Sequence, residues 1–198
     1  MSKKIILSVV VSVFNNEKKI EDCLKSASFA DEVIVVNNSS TDKTLEIAKR
    51  YTDKIFTRPN NPMLNINKNF GFTKATGDWI LSLDADERIT PELAHEIRST
   101  INDLFSEALS EVEGAKEGQQ YSGYEIPRKN IIFGKWIKHS IWWPDYNLRL
   151  FKKGLGRFPE KHVHEKLEVK GKVSKLENPM IHYNYQTVSQ FINKLNKT

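Results

Sequence analysis

The stretch from Trp79 to Arg88 is an apolar run, Trp-Ile-Leu-Ser-Leu, that ends in Asp84, Ala85, Asp86 and Glu87. Three carboxylates within four positions repel one another, and at the mouth of an apolar strand they are also partly desolvated. A bound cation relieves both costs. Mg²⁺ and Mn²⁺ prefer oxygen ligands and are commonly held by one or two carboxylates, with substrate phosphates and water completing the shell. An Asp-x-Asp at a strand end therefore points to a Mn²⁺ or Mg²⁺ site that also holds a diphosphate. A solvated acidic turn is the alternative, and the surrounding elements decide between them.

The β-branched run Ile5 to Val13 reads as a buried first strand, although Lys3 and Lys4 before it imitate a signal peptide. Ile20, Cys23, Leu24 and Ala27 recur at helical spacing and predict a helix over 17–28, with Asn15 or Asn16 as its cap. Glu32 to Val36 is a second strand. A second helix opens at 41–44, capped by Ser40 or Thr41, and runs to about Tyr51. Lys54 to Thr57 is a third strand, 65–75 a helix, and Trp79 to Leu83 a fourth strand. Thr90-Pro91 starts a helix with the apolar stripe Leu93, Ile97, Ile101, Leu104 and Ala108.

Alternating strands and helices imply an α/β domain with a mostly parallel central sheet covered on both faces. Ligands of such sheets bind outside the carboxyl ends of the strands. That edge gathers Phe14-Asn15-Asn16, Asn37-Asn38-Ser39-Ser40 and Asp84-Ala85-Asp86 into one crevice.

The polar stretch 111–122 is expected to be an exposed loop between two halves of one domain, 1–110 and 123–198. The second half offers strands at 123–128 and 147–152, an aromatic stretch from Phe133 to Tyr146, the run His162-Val163-His164-Glu165, and a hairpin-like alternation up to His182. A helical pattern over 187–196 stops without a cap, and the chain is expected to continue past Thr198.

Charge divides along the same line. Residues 1–127 carry 15 Lys and Arg against 20 Asp and Glu, whereas residues 128–198 carry 15 against 5. A basic surface attracts nucleic acid, an anionic membrane or a phosphorylated substrate. The lone Cys23 rules out an internal disulfide framework and fits a reducing cytoplasm. No segment has the roughly 20 apolar residues of a membrane span, so membrane contact would be peripheral. The absence of a Gly-x-Gly-x-x-Gly turn and of a Walker loop argues against dinucleotide oxidoreductases and P-loop enzymes.

Taken in order, the segments 8–17, 33–42 and 77–86 resemble family 2 glycosyltransferases. Trp143-Pro144-Asp145-Tyr146, Arg149-Leu150-Phe151 and Val163-His164-Glu165 resemble the bacterial branch that makes lipopolysaccharide cores. The resemblance implies a GT-A fold, a Rossmann-like nucleotide-sugar half and a C-terminal acceptor-side region. It also implies transfer from a nucleotide diphosphate sugar, with inversion, to a glycan or glycolipid acceptor. Such an enzyme would work in the cytoplasm at the inner membrane face, with no nucleic-acid partner; the basic second half suits an anionic acceptor.

By that likeness Ser12, Phe14, Asn15, Asn37 and Asn38 would hold the base, Asp84 the ribose and Asp86 the metal, with Asp84 and His164 as further metal ligands. Lys68 and Arg149 would meet the base, diphosphate or acceptor. Glu165 is the expected catalytic base and Asp145 its alternate. The family usually has Asp where this chain has Asn37-Asn38; an amide both accepts and donates, yet UDP is the expected donor nucleotide. His162 and His182 read as structural residues, and Trp136, Trp142 and Trp143 as core or as stacking partners of a sugar. The rival readings are a sugar nucleotidyltransferase, which needs a Gly-rich basic loop that Phe14-Asn15-Asn16-Glu17 does not supply, and a nucleotide-sugar-binding module without turnover.

Overall fold

The computed structural model describes residues 5–110, 121–161 and 165–195. The first half alternates as its periodicity predicts, with one unpredicted two-residue strand, β5, added: β1 (Leu7–Val13), α1 (Ile20–Ser26), β2 (Glu32–Asn37), α2 (Thr44–Ala48), β3 (Ile55–Thr57), α3 (Leu64–Lys74), β4 (Trp79–Asp84), β5 (Glu87–Arg88) and α4 (Pro91–Ser110). Strands β3, β2, β1 and β4 lie side by side in parallel. The Val, Ile and Leu runs of β1, β2 and β4 are almost wholly buried because helices cover both faces, while the short edge strand β3 is only half-buried. On one face the helices contribute Ile20, Leu24, Leu93, Ile97 and Ile101 to the main core. On the other, α3 packs Phe72 against Phe151 and Ile80.

The helix starts differ from expectation. Neither Asn15 nor Asn16 caps α1 through its side chain; the Asn16 backbone carbonyl accepts from the N–H groups of Lys19 and Ile20, both at 2.9 Å. Ahead of α2, Asp42 Oδ1 accepts from the Thr44 N–H at 3.0 Å and does the work expected of Ser40 or Thr41. Thr90 performs as predicted, its hydroxyl accepting from Leu93 N at 3.2 Å ahead of Pro91.

The second half extends the same sheet. β8 (Asp145–Lys152) lies antiparallel between β4 and β6 (Gly123–Ile132), so the sheet runs through both halves without a break. The alternation from 166 to 182 is not a hairpin. β10 (Glu168–Val169) pairs with β9 (Gly156–Arg157), while β11 (Val173–Lys175) and β12 (Met180–Tyr183) both run parallel to β6. β12 also pairs antiparallel with the two-residue β5, which carries it to the acidic end of β4. β7 (Lys135–Trp136) folds back on β6, and α5 (Val188–Leu195) closes the described chain. Most of the expected loop 111–122 lies outside the described residues. Among the described residues no helix is long and apolar enough to cross a membrane.

Candidate active site

A cavity of about 850 Å³ opens where β1, β2 and β4 end, walled on the far side by β6, β8 and β12. Its most strongly held group is Asp84. Lys68, one turn into α3, places Nζ 2.6 Å from Asp84 Oδ1, and Arg149 from β8 places a guanidinium nitrogen 2.8 Å from Oδ2. The same Arg149 nitrogen lies 2.6 Å from Oε1 of the fully buried Glu87, whose Oε2 accepts from the Asp84 N–H at 2.9 Å.

This charge arrangement explains the proton affinities. Burial opposes ionisation of Asp84, but Lys68 and Arg149 outweigh it and hold the carboxyl well below its usual range. Burial wins at Glu87 and raises it, with Arg149 pulling the other way. Arg149 stays charged although buried, because Glu87 and Asp84 face it. Sequence reasoning expected Asp84 to share a metal. The structure commits one Asp84 oxygen to each of two cations. Arg149 was expected to reach diphosphate or acceptor, and the structure uses it first to tie Asp84 to Glu87.

Asp86 is the carboxylate left facing the opening. His182, at the end of β12, brings Nε2 to 3.7 Å from Asp86 Oδ2, and Lys19 Nζ lies 3.7 Å from the same oxygen. The tautomer follows from the network. Asn130 Nδ2 donates to Asp145 Oδ2 at 3.0 Å and to the Trp142 carbonyl at 3.3 Å, so Asn130 Oδ1 must accept from His182 Nδ1, 2.7 Å away. The Asn130 bond fixes a proton on Nδ1 and turns Nε2 toward the carboxylate; burial opposes the charge of Asp86, but His182 and Lys19 hold its carboxyl below the usual range. An imidazole nitrogen and a carboxylate oxygen that face one another can hold a shared cation, and the Asn130 bond is the usual outer support of a metal-binding imidazole. The residues present therefore fit a divalent ion. Among the described residues no cluster of three such ligands occurs, so substrate oxygens and water would complete the shell. His164, expected as a ligand, lies outside the described residues.

At the other end of the cavity stand Ser12, Phe14, Asn38, Leu64 and Asn65. Phe14 is exposed and presents its ring to the opening. Asn38 is buried and donates to Ser12 Oγ at 3.1 Å. The expected base contacts Asn15 and Asn37 turn elsewhere: Asn15 Oδ1 accepts from Thr41 N at 2.8 Å, and Asn37 bonds Thr57 Oγ1 at 3.4 Å and Ser40 N at 3.2 Å. They brace the strand-end loops and are absent from the cavity wall.

Of the two candidate bases, Glu165 lies on the cavity wall, with its carboxylate oxygens 3.0 and 3.2 Å from the Lys161 N–H. Asp145 does not line the cavity. It is bound by Arg128 at 2.7 Å and by Asn130, and these partners overcome the cost of burial and keep its carboxyl below the usual range. The Trp136 and Trp143 rings pack edge to face at 5.2 Å and also lie outside the wall, where Tyr146 stands instead.

Sequence reasoning therefore missed Glu87, Arg128 and His182. Glu87 was visible in the acidic run but not as the buried partner of an arginine 62 positions away. A histidine closing the alternation Met180-Ile181-His182 was the only local signal for β12, and it did not say which strand β12 would join.

Comparison with known proteins adds an independent line. The model of the glycosyl transferase family 2 matches residues 8–109, just over half of the chain. An uncharacterised glycosyltransferase of Rickettsia typhi is 28% identical over 202 residues, covering 96% of this chain and 64% of that protein. The lipopolysaccharide core biosynthesis glycosyltransferase LpsC of Rhizobium meliloti is 24% identical across the whole chain and 70% of its own length. Among solved structures, residues 1–349 of S. aureus TarS in complex with UDP-GlcNAc superpose with a TM-score of 0.60 at 19% identity, covering 92% of this chain and 60% of that one. The chain thus spans less than two thirds of the length of the Rickettsia typhi protein and of the TarS fragment.

Proposed function

The chain belongs to glycosyl transferase family 2, and from that premise we propose that it transfers a sugar, with inversion, from a UDP-sugar to a glycan or glycolipid acceptor of a bacterial surface polymer. The observation that carries this reading is the shared cavity: a locked Asp84, an Asp86–His182 pair and Glu165, held by the Lys161 N–H, wall one space of about 850 Å³. That is room for a nucleotide sugar and part of an acceptor. The lipopolysaccharide core relative, and the basic second half of this chain, support an anionic surface-glycan acceptor.

The base lies between Phe14 and Leu64 over Asn38, and the Asp84 carboxylate accepts from ribose hydroxyls. Asp86 and His182 would hold Mn²⁺ or Mg²⁺, which would neutralise charge on the diphosphate leaving group. Glu165 takes the proton of the acceptor hydroxyl while that oxygen forms a bond to the anomeric carbon. The bond from the anomeric carbon to the diphosphate oxygen breaks, and its electron pair leaves with UDP. A single displacement of this kind inverts the anomeric centre. Exposed Lys166, beside Glu165 on the wall, suits an acidic acceptor, and contact with the inner membrane face would be peripheral.

The test is UDP binding by calorimetry with and without Mn²⁺, together with turnover of UDP-sugars. Asp86→Ala is expected to abolish the Mn²⁺-dependent gain in UDP affinity, and Glu165→Gln to stop turnover at least 100-fold while UDP still binds. Full activity in Glu165→Gln, or UDP binding indifferent to Mn²⁺ and to Asp86, would sink the assignment.

A further inference from the structure

The floor of the base end is a hydrogen-bonded relay whose polarity can be worked out atom by atom. Asn67, on α3 and almost fully buried, does not face the donor directly. Its Nδ2 lies 3.0 Å from the Pro59 backbone carbonyl and 2.7 Å from Asn38. A backbone carbonyl only accepts, so the Asn67 atom between these partners is the amide nitrogen. The Asn38 atom facing it is therefore Oδ1, which in turn makes the atom facing Ser12 the Asn38 Nδ2, at 3.1 Å. Ser12 Oγ then accepts from Asn38, and its own hydrogen has no acceptor among the described residues. Pro59 thus dictates, through two buried amides, what a half-buried hydroxyl offers to the cavity.

We propose that Asn67 is the positioning residue that makes this pocket read uracil against cytosine. The inference rests on the sugar-nucleotide reading above. In the relay as built, Ser12 O–H is a donor and Asn38 Oδ1 keeps one lone pair. That pattern complements the edge of uracil, which presents the C4 carbonyl as acceptor and N3–H as donor. Cytosine reverses both groups, with an amino donor at C4 and an unprotonated N3. It would meet a donor with a donor and an acceptor with an acceptor, and unpaired polar groups in a buried site are what make such discrimination strong.

The relay also predicts its own inversion. A carboxylate at position 67 cannot donate, so Asn38 would turn its Nδ2 toward it and its Oδ1 toward Ser12. Ser12 would then donate to Asn38 and offer a lone pair to the cavity. Both reading groups change sign together, and the edge they fit becomes that of cytosine.

The experiment is calorimetric titration of the full chain with UDP and with CDP in the presence of Mn²⁺. Wild type is expected to prefer UDP by at least tenfold. Asn67→Asp, checked for folding by its circular dichroism spectrum, is expected to cut that ratio by at least tenfold and to favour CDP. Ser12→Ala, which removes the reading hydroxyl and leaves the Pro59–Asn67–Asn38 bonds in place, is expected to lower UDP affinity about fivefold more than CDP affinity; it keeps the test alive should Asn67→Asp fail to fold. A preference for UDP that survives both substitutions overturns the inference and leaves the sugar-nucleotide reading standing. A wild-type chain that binds neither nucleotide overturns both.

Discussion

Arg149→Met is the substitution that most directly interrogates the centre of the site. Arg149 is 6% exposed and bridges Asp84 Oδ2 at 2.8 Å and Glu87 Oε1 at 2.6 Å. Removing the guanidinium leaves Asp84 with Lys68 but strands Glu87, whose nearest remaining cation is Arg128 at 3.8 Å. Breaking a buried pair from one side costs about 3–5 kcal/mol, because the surviving charge is left without compensation. For a chain of this size each kcal/mol moves Tm by roughly 2–4 °C, so Arg149→Met should lower Tm by about 6–20 °C. The double variant Arg149→Met with Glu87→Gln removes the stranded charge and keeps an acceptor for the Asp84 N–H. It should recover at least half of the loss. Thermal melts at pH 7 followed by circular dichroism measure wild type, the two single variants and the double variant. A double variant that melts as low as the sum of the two single losses would show that the two residues act independently, and the ion-pair account of the site would be wrong.

Two further substitutions test the scaffold under the site. Glu32 is buried, and although burial opposes its charge, bonds from Lys54, Ser8 and Thr76 hold it at about 2. A carboxyl depressed in the folded state stabilises above its ordinary value of about 4.5 and loses that contribution as pH falls toward 2, here up to about 3 kcal/mol. Acid unfolding between pH 5 and 2 should therefore be shallower in Glu32→Gln, with lower stability at neutral pH; an unchanged acid limb would refute it. Gly71 lets α3 approach the sheet, since a Cβ there would come within 2.5 Å of Val10 Cγ1 and 2.9 Å of Val36 Cγ2. Gly71→Ala should cost about 1–3 kcal/mol by overpacking and, because α3 carries Lys68 and Asn67, weaken UDP binding in calorimetry as well; a stability loss with unchanged affinity would separate the helix seat from the site.

How much of this was legible in the sequence depended on how far apart the interacting residues lie. Buried strands with helices on both sides must be apolar throughout, and amphipathic helices must repeat their apolar positions every three to four residues. The order of elements from β1 to β4, and the helix α4, therefore follows from local patterns alone. The cap of α2 illustrates a smaller uncertainty: Ser40, Thr41 and Asp42 all carry suitable oxygens, and only the path of the loop after β2 decides that Asp42 meets the Thr44 N–H.

The second half obeys a different logic. β5 has two residues, β7 two and β12 four, too few for periodicity to declare itself. They are specified by their neighbours: β12 lies where it does because β6 offers one edge and β5 the other. That placement sets His182 beside Asp86 across 96 positions of sequence, and Arg149 beside Glu87 across 62. The acidic run announced that a cation was needed. Which cations answer is a tertiary property, and it splits the motif in two: Asp84 is held at 2.6 and 2.8 Å by the protein's own Lys68 and Arg149, whereas Lys19 and His182 stand off at 3.7 Å from Asp86. The same Asp-x-Asp thus holds one carboxylate locked between two cations and one that lines the cavity with looser partners.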